Sequence, residues 1–150
     1  MRVASYAFQP GSVIPKQFTC DGQNLSPPLA WSGAPPETRS FALICADPDA
    51  PGGTFYHWAI YDMPPSTTGL AEGWPPSKPA PPQAVNDFGR PGYSGPCPPP
   101  GHGRHRYLFT LYALRVDKLP VPAGARARDV AAASIARSLG TGELIGTYSR

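Results

Sequence analysis

Charge is scarce in this chain. Only 15% of its 150 residues are Asp, Glu, Lys or Arg, the formal net charge is +3, and no run of Lys or Arg is long enough to grip a nucleic-acid backbone, so nucleic acid is excluded as the expected partner. Cysteine is scarce too. Cys20, Cys45 and Cys97 are odd in number and lack CxxC spacing, which argues against a disulfide framework and against a structural zinc site; reduced thiols in a cytosol are the expectation. No uncharged apolar run approaches the roughly 18 residues a membrane span needs, and the first six residues, MRVASY, lack the apolar segment of an export signal. A soluble cytoplasmic protein with no targeting segment follows as the expectation. Helical periodicity is nearly absent: only 126–139, with Ala131, Ala132, Ile135 and Leu139 at spacings of three and four, Asp129 near the start and Gly140 as a stop, reads as a helix.

What is abundant is proline and glycine, 22 and 16 residues. Such a composition would suggest disorder, but 41% hydrophobic and 11% aromatic residues supply a core, and together they describe a loop-rich β protein. The length fits one domain spanning 1–150. Strand-like runs appear at 3–8, at 40–46 (SFALICA, apolar on both faces and therefore central), at 57–63 with His57 sharing a face with Ala59 and Tyr61, at 107–116, and at 143–148. The stretch 25–31, LSPPLAW, is extended because two prolines exclude helix, and it is placed across the core. Residues 66–85 read as a surface connection. The sum is an all-β sandwich with one late helix.

The run 86–114 concentrates the chemistry. Gly89, Gly92, Gly95, Gly101 and Gly103 allow close approach of a ligand to backbone N–H groups, prolines stiffen the loop, and His105 and Tyr107, two apart at a strand entrance, project from one face. A second turn, Asp47-Pro48-Asp49-Ala50-Pro51, precedes His57 and carries an X–Pro bond that would suit a cis peptide. If the two strand entrances meet, Asp47 or Asp49 can accept from a histidine N–H and hold a cationic imidazole for a small anion. Each feature alone has an ordinary explanation. Strand-end histidines are commonly satisfied locally, Asp beside Pro commonly forms turns, and a buried Tyr is commonly core. Catalytic patterns fit poorly: Ser94 stands in a defective nucleophile-elbow sequence with Pro96 in place of glycine, Cys97 with His105 is a conceivable thiol–imidazole pair, and His102, His105, Cys97 and Asp47 match no strong zinc spacing.

Taken together, Asp47-Pro48-Asp49-Ala50-Pro51, His57, and Gly95 followed by Pro98-Pro99, Gly101, Gly103 and His105-Arg106-Tyr107 resemble the two signature regions of the phosphatidylethanolamine-binding protein family, also called Raf kinase inhibitor-like proteins. Cys20-Asp21-Gly22-Gln23-Asn24, the 25–31 stretch and Asn86-Asp87-Phe88-Gly89 are similar to its bacterial branch. The resemblance implies a two-sheet antiparallel Greek-key β sandwich with one short C-terminal helix, a cis peptide near Asp47, and a pocket of Asp47, His57, Gly95, His105 and Tyr107. Asp49 and Cys97 stand beside it, Cys97 where animal members carry glycine, and His102 lies outside. Such a pocket would take phosphate, acetate or a phosphorylated headgroup, with no cofactor and no metal. It implies a binding protein that regulates a protein kinase or protease partner; the alternatives are an enzyme using the His/Asp/Tyr set for general acid–base chemistry, or a regulator acting only through its surface. An open sheet edge and the Trp74-Pro75-Pro76 loop offer surface for a homodimer.

Overall fold

A strand that is apolar on both faces needs cover on both sides, and the computed structural model, which describes residues 1–150, gives 40–47 that cover. In chain order the elements are β1 (Arg2–Ala4), β2 (Leu29–Ser32), β3 (Ser40–Asp47), β4 (Phe55–Met63), β5 (Gly69–Leu70), β6 (His105–Leu114), α1 (Ala127–Ala136) and β7 (Ser138–Tyr148), with a 3-10 turn at Lys16–Phe18. Strands β1-β2-β5 form a small antiparallel sheet and β4-β3-β6-β7 a larger one, with β3 inside it as its sequence requires.

Alternation divides the side chains of the large sheet between two cores. Phe41, Leu43 and Cys45 of β3 and Tyr107, Phe109, Leu111 and Ala113 of β6 pack with Val3, Leu29 and Trp31 of the small sheet. Ala42, Ile44, Ala59, Tyr61 and Leu114, on the opposite face, pack with Ala127, Val130 and Ala131 of α1. Leaving water contributes on the order of 1.5–3 kcal/mol for each large apolar side chain, and Phe41, Leu43, Phe109 and Leu111 are fully buried. The layers are therefore small sheet, large sheet and helix.

Several expectations need correction. The helix stops at Ala136, and Ile135 and Leu139 are exposed rather than core-facing, because Ser138 onward pairs with β6 and the pairing overrides the three-and-four periodicity. The last strand accordingly begins five residues before Glu143. The first is only three residues long. The 66–85 connection contributes β5, pairs Gln83 with Ile60, and seats Trp74 partly buried against the main core, so that tryptophan is not a free contact surface. The cis peptide is Ala80–Pro81, not a bond of the Asp47 turn. Two of the three cysteines do form a disulfide: Cys20 and Cys97 are joined, and only Cys45 is free and buried. An odd count leaves one cysteine over; it does not prevent the other two from meeting across 77 residues.

Candidate functional site

Antiparallel pairing of β3 with β6 sets Ala46 opposite Leu108, which carries the end of β3 and the start of β6 to the same edge. There Asp47 and His105, both buried, meet: His105 Nδ1 lies 2.6 Å from Asp47 Oδ2. A carboxylate only accepts, so Nδ1 carries the proton. The other oxygen, Oδ1, takes the backbone N–H of Asp49 at 2.7 Å, leaving the carboxylate held on both sides. Asp49 does not reach a histidine. It binds the Arg106 guanidinium and backbone N–H at 2.9 Å, and the Arg106 hydrogen bonds bring its carboxyl down to about 2.

β4 delivers the second buried histidine through an irregularity. Cys45 pairs with Trp58 but Ala46 pairs with Tyr56, so His57 is an extra residue in a β-bulge. Alternation alone puts His57 with Ala59 and Tyr61; the bulge turns it instead toward Tyr107, with ring centroids 5.3 Å apart and nearly perpendicular planes. Its Nδ1 donates to the Ser94 carbonyl at 2.7 Å. Burial pushes its pKa below the ordinary value, which favours the neutral ring.

Tyr107 lies between the two histidines. It is fully buried, and its hydroxyl makes no hydrogen bond within the protein. Burial, with Asp47 nearby, raises the phenol pKa, so the group stays a neutral O–H donor. Asp47, His57, His105 and Tyr107 line one cavity of about 180 Å³, with Phe55 and Phe88 as apolar walls. Phe88 packs edge-on against Phe55 and His57 at 4.7 and 5.5 Å, which fixes the aromatic side of the mouth.

Two residues carried over from the resemblance behave differently. Gly95 is not on this cavity, and its N–H donates to Asn24 Oδ1 at 2.8 Å. Glycine is needed there because a Cβ would stand 2.1 Å from the Phe18 carbonyl oxygen, a packing constraint rather than an approach to ligand. Cys97 does line the cavity, but as half of the disulfide, which removes the thiol–imidazole pair and the thiolate of any zinc set. Ser94 Oγ accepts from Asn86 Nδ2 at 3.0 Å inside the protein.

His102, expected to stand apart from the pocket residues, is joined to one of them. Its Nδ1 lies 2.6 Å from His105 Nε2, extending Asp47–His105 into a carboxylate–imidazole–imidazole chain that reaches the exposed loop. With Nδ1 of His105 committed to Asp47, a neutral His105 accepts at Nε2 and His102 donates. The spacing of three within a glycine-rich turn was the available signal. Phe55 was legible too, two residues before His57 on one face, whereas nothing local marked Phe88 as a wall.

Two packed antiparallel sheets, one helix, and a pocket at a sheet edge built from Asp, His and Tyr define a two-sheet β sandwich with a polar pocket at one edge. The chain belongs to the phosphatidylethanolamine-binding protein family, whose model matches residues 4–149. It is 48% identical over 152 residues to a UPF0098 protein of Aquifex aeolicus, covering all of this chain and 89% of that one. LppC of Mycobacterium tuberculosis, whose name includes the word lipoprotein, is 41% identical, with 99% of this chain and 72% of that one covered. Among solved structures, Escherichia coli YbcL, described as a member of the mammalian PEBP family, superposes with a TM-score of 0.93 at 32% identity, over 99% and 98% of the two chains. No helix here is long and apolar enough to cross a membrane.

Proposed function

We propose that this protein binds a small oxyanion, phosphate or a phosphorylated group, in the cavity of Asp47, His57, His105 and Tyr107. The observation that carries the reading is the Tyr107 hydroxyl: a buried donor without a partner in the protein, aligned between two buried imidazoles, suits a ligand oxygen. Asp47 fixes the tautomer of His105, and the Ser94 carbonyl fixes that of His57. Occupancy would be read by a partner, a kinase or protease, through the exposed loop residues Pro99, Gly101 and Arg104 around His102.

A general acid–base enzyme is the second reading, favoured by the Asp47–His105–His102 chain, which can move a proton between the pocket and the surface. The disulfide supports a working location outside the reducing cytosol, against the first expectation. The test is an NMR titration of the three histidines with inorganic phosphate and with acetate. Joint displacement of the His57 and His105 ring signals by phosphate is the expected outcome. If phosphate at tens of millimolar moves neither ring, the anion reading fails.

A further inference from the structure

A second cavity, about 200 Å³, adjoins the first. The two share Phe88 and Cys97 as a common wall, and the second is completed by Asn24, Ser94, Gly95 and Arg90. Two of its acceptors are already engaged. Asn24 Oδ1 accepts from Gly95 N–H, and Ser94 Oγ accepts from Asn86. Arg106 is paired with Asp49 and Arg150 with Asp21. The Arg90 guanidinium, exposed on this cavity, has neither an ion pair nor a hydrogen bond; its backbone is held by Asn86, whose Oδ1 accepts from the Arg90 N–H and whose N–H donates to the Arg90 carbonyl.

The wall between the cavities is itself unusual. Phe88 is 45% exposed yet fixed from below by Phe55 and His57, and its N–H is tied to Asn86 Oδ1 at 2.9 Å. A rigid, half-exposed aromatic ridge between a buried donor pocket and a free guanidinium suits a ligand with three parts: an anion, a short apolar stem and a second anion.

We infer that the two cavities form one groove for a phosphomonoester that also carries a carboxylate, with the phosphate among His57, His105 and Tyr107, the carbon stem over Phe88 and the carboxylate on Arg90. This rests on the proposed anion pocket and deepens it. A phosphorylated amine offers the wrong end: its ammonium would meet a guanidinium. Arg90 thereby selects phosphorylated carboxylates over phosphoethanolamine-like headgroups.

The test is calorimetry on the full chain with two matched pairs of probes, run beside inorganic phosphate. O-Phosphoserine differs from O-phosphoethanolamine by one carboxylate; 6-phosphogluconate differs from sorbitol 6-phosphate by a carboxylate in place of a terminal hydroxymethyl and reaches further. In at least one pair the carboxylate should tighten binding about tenfold, the scale of one charge-assisted contact. Arg90→Gln should erase that preference and leave inorganic phosphate unchanged. Phosphate binding with no carboxylate preference in either pair, or a preference that survives in Arg90→Gln, overturns the groove while sparing the anion pocket. Failure of phosphate and every monoester to bind removes both.

Discussion

Replacing Tyr107 by Phe separates folding from binding, because the two should move in opposite directions. The ring is fully buried in the main core, where Phe fills almost the same volume. The hydroxyl is buried without a partner, and a group in that state costs roughly 1–3 kcal/mol of desolvation that its removal recovers. Tyr107→Phe should therefore be as stable as the parent, or up to about 2 kcal/mol more so, when no anion is present.

Binding should suffer. A hydrogen bond from a neutral donor to a charged acceptor is worth roughly 1.5–3 kcal/mol, so phosphate affinity should fall about 10- to 150-fold. Linkage turns the same loss into a melting experiment: phosphate at 100 times the parent Kd stabilises the parent by about 2.7 kcal/mol, but a variant weakened tenfold by about 1.4 and one weakened a hundredfold by about 0.4. Urea unfolding with and without phosphate, read by tryptophan fluorescence, supplies both quantities. The reasoning is refuted if Tyr107→Phe is destabilised by more than about 1 kcal/mol without phosphate, the cost expected of a lost internal hydrogen bond, or if its stabilisation by phosphate equals the parent's.

Three further outcomes follow from the same geometry. The depressed pKa of buried His57 means that, as pH falls below about 6.5, the unfolded chain gains a proton the folded chain refuses; stability should drop by up to about 1.4 kcal/mol per pH unit until the folded pKa is reached, and His57→Gln should flatten that slope in phosphate-free urea titrations between pH 5 and 7.5. Because Cys20 and Cys97 close a long loop and Cys45 is buried, the native protein should show no thiol reactive toward Ellman's reagent, the reduced and denatured chain three, and Cys20→Ser should lose about 2–5 kcal/mol of stability; three reactive thiols in protein denatured without reductant would contradict the pairing. His102 donates to His105 Nε2, so His102→Ala should leave that lone pair free to accept the O–H of hydrogenphosphate and tighten phosphate binding at pH 8 by about 2- to 12-fold, the worth of one ordinary hydrogen bond, and unchanged affinity would mean that the ligand does not use Nε2.

Much of the fold was legible because period-two alternation survives in β3 and β6, whose apolar residues on both faces demanded cover on both sides. The pocket's Asp47, His105 and Tyr107 were legible for a related reason: they stand at the ends of those same strands, where register leaves little choice. His57 was placed on the wrong face because one inserted residue reverses every side chain beyond it, and a bulge has no composition of its own. The Cys20–Cys97 bond and the Phe88 wall are contacts between segments distant in sequence, set by how loops cross and not by any local pattern. The helix failed at its end for a third reason, since strand pairing claimed residues whose spacing favoured a helix.

These departures from local rule are unevenly distributed. The early helix end at Ala136 and the cis bond at Ala80–Pro81 lie away from the cavity, and pairing of β7 with β6 accounts for the first. The bulge at His57, the buried Asp47–His105 pair and the unpartnered Tyr107 hydroxyl all border the same 180 Å³. A stable sandwich needs none of them: an apolar residue at each buried position would pack as well and avoid the desolvation of two imidazoles, a carboxylate and a phenol. Three costly choices converging on one cavity are what a chain selected for a ligand would keep and a chain selected for stability alone would lose. On that ground a variant with Asp47, His57, His105 and Tyr107 all replaced by apolar residues of matching size should fold at least as stably as the parent and bind no phosphate.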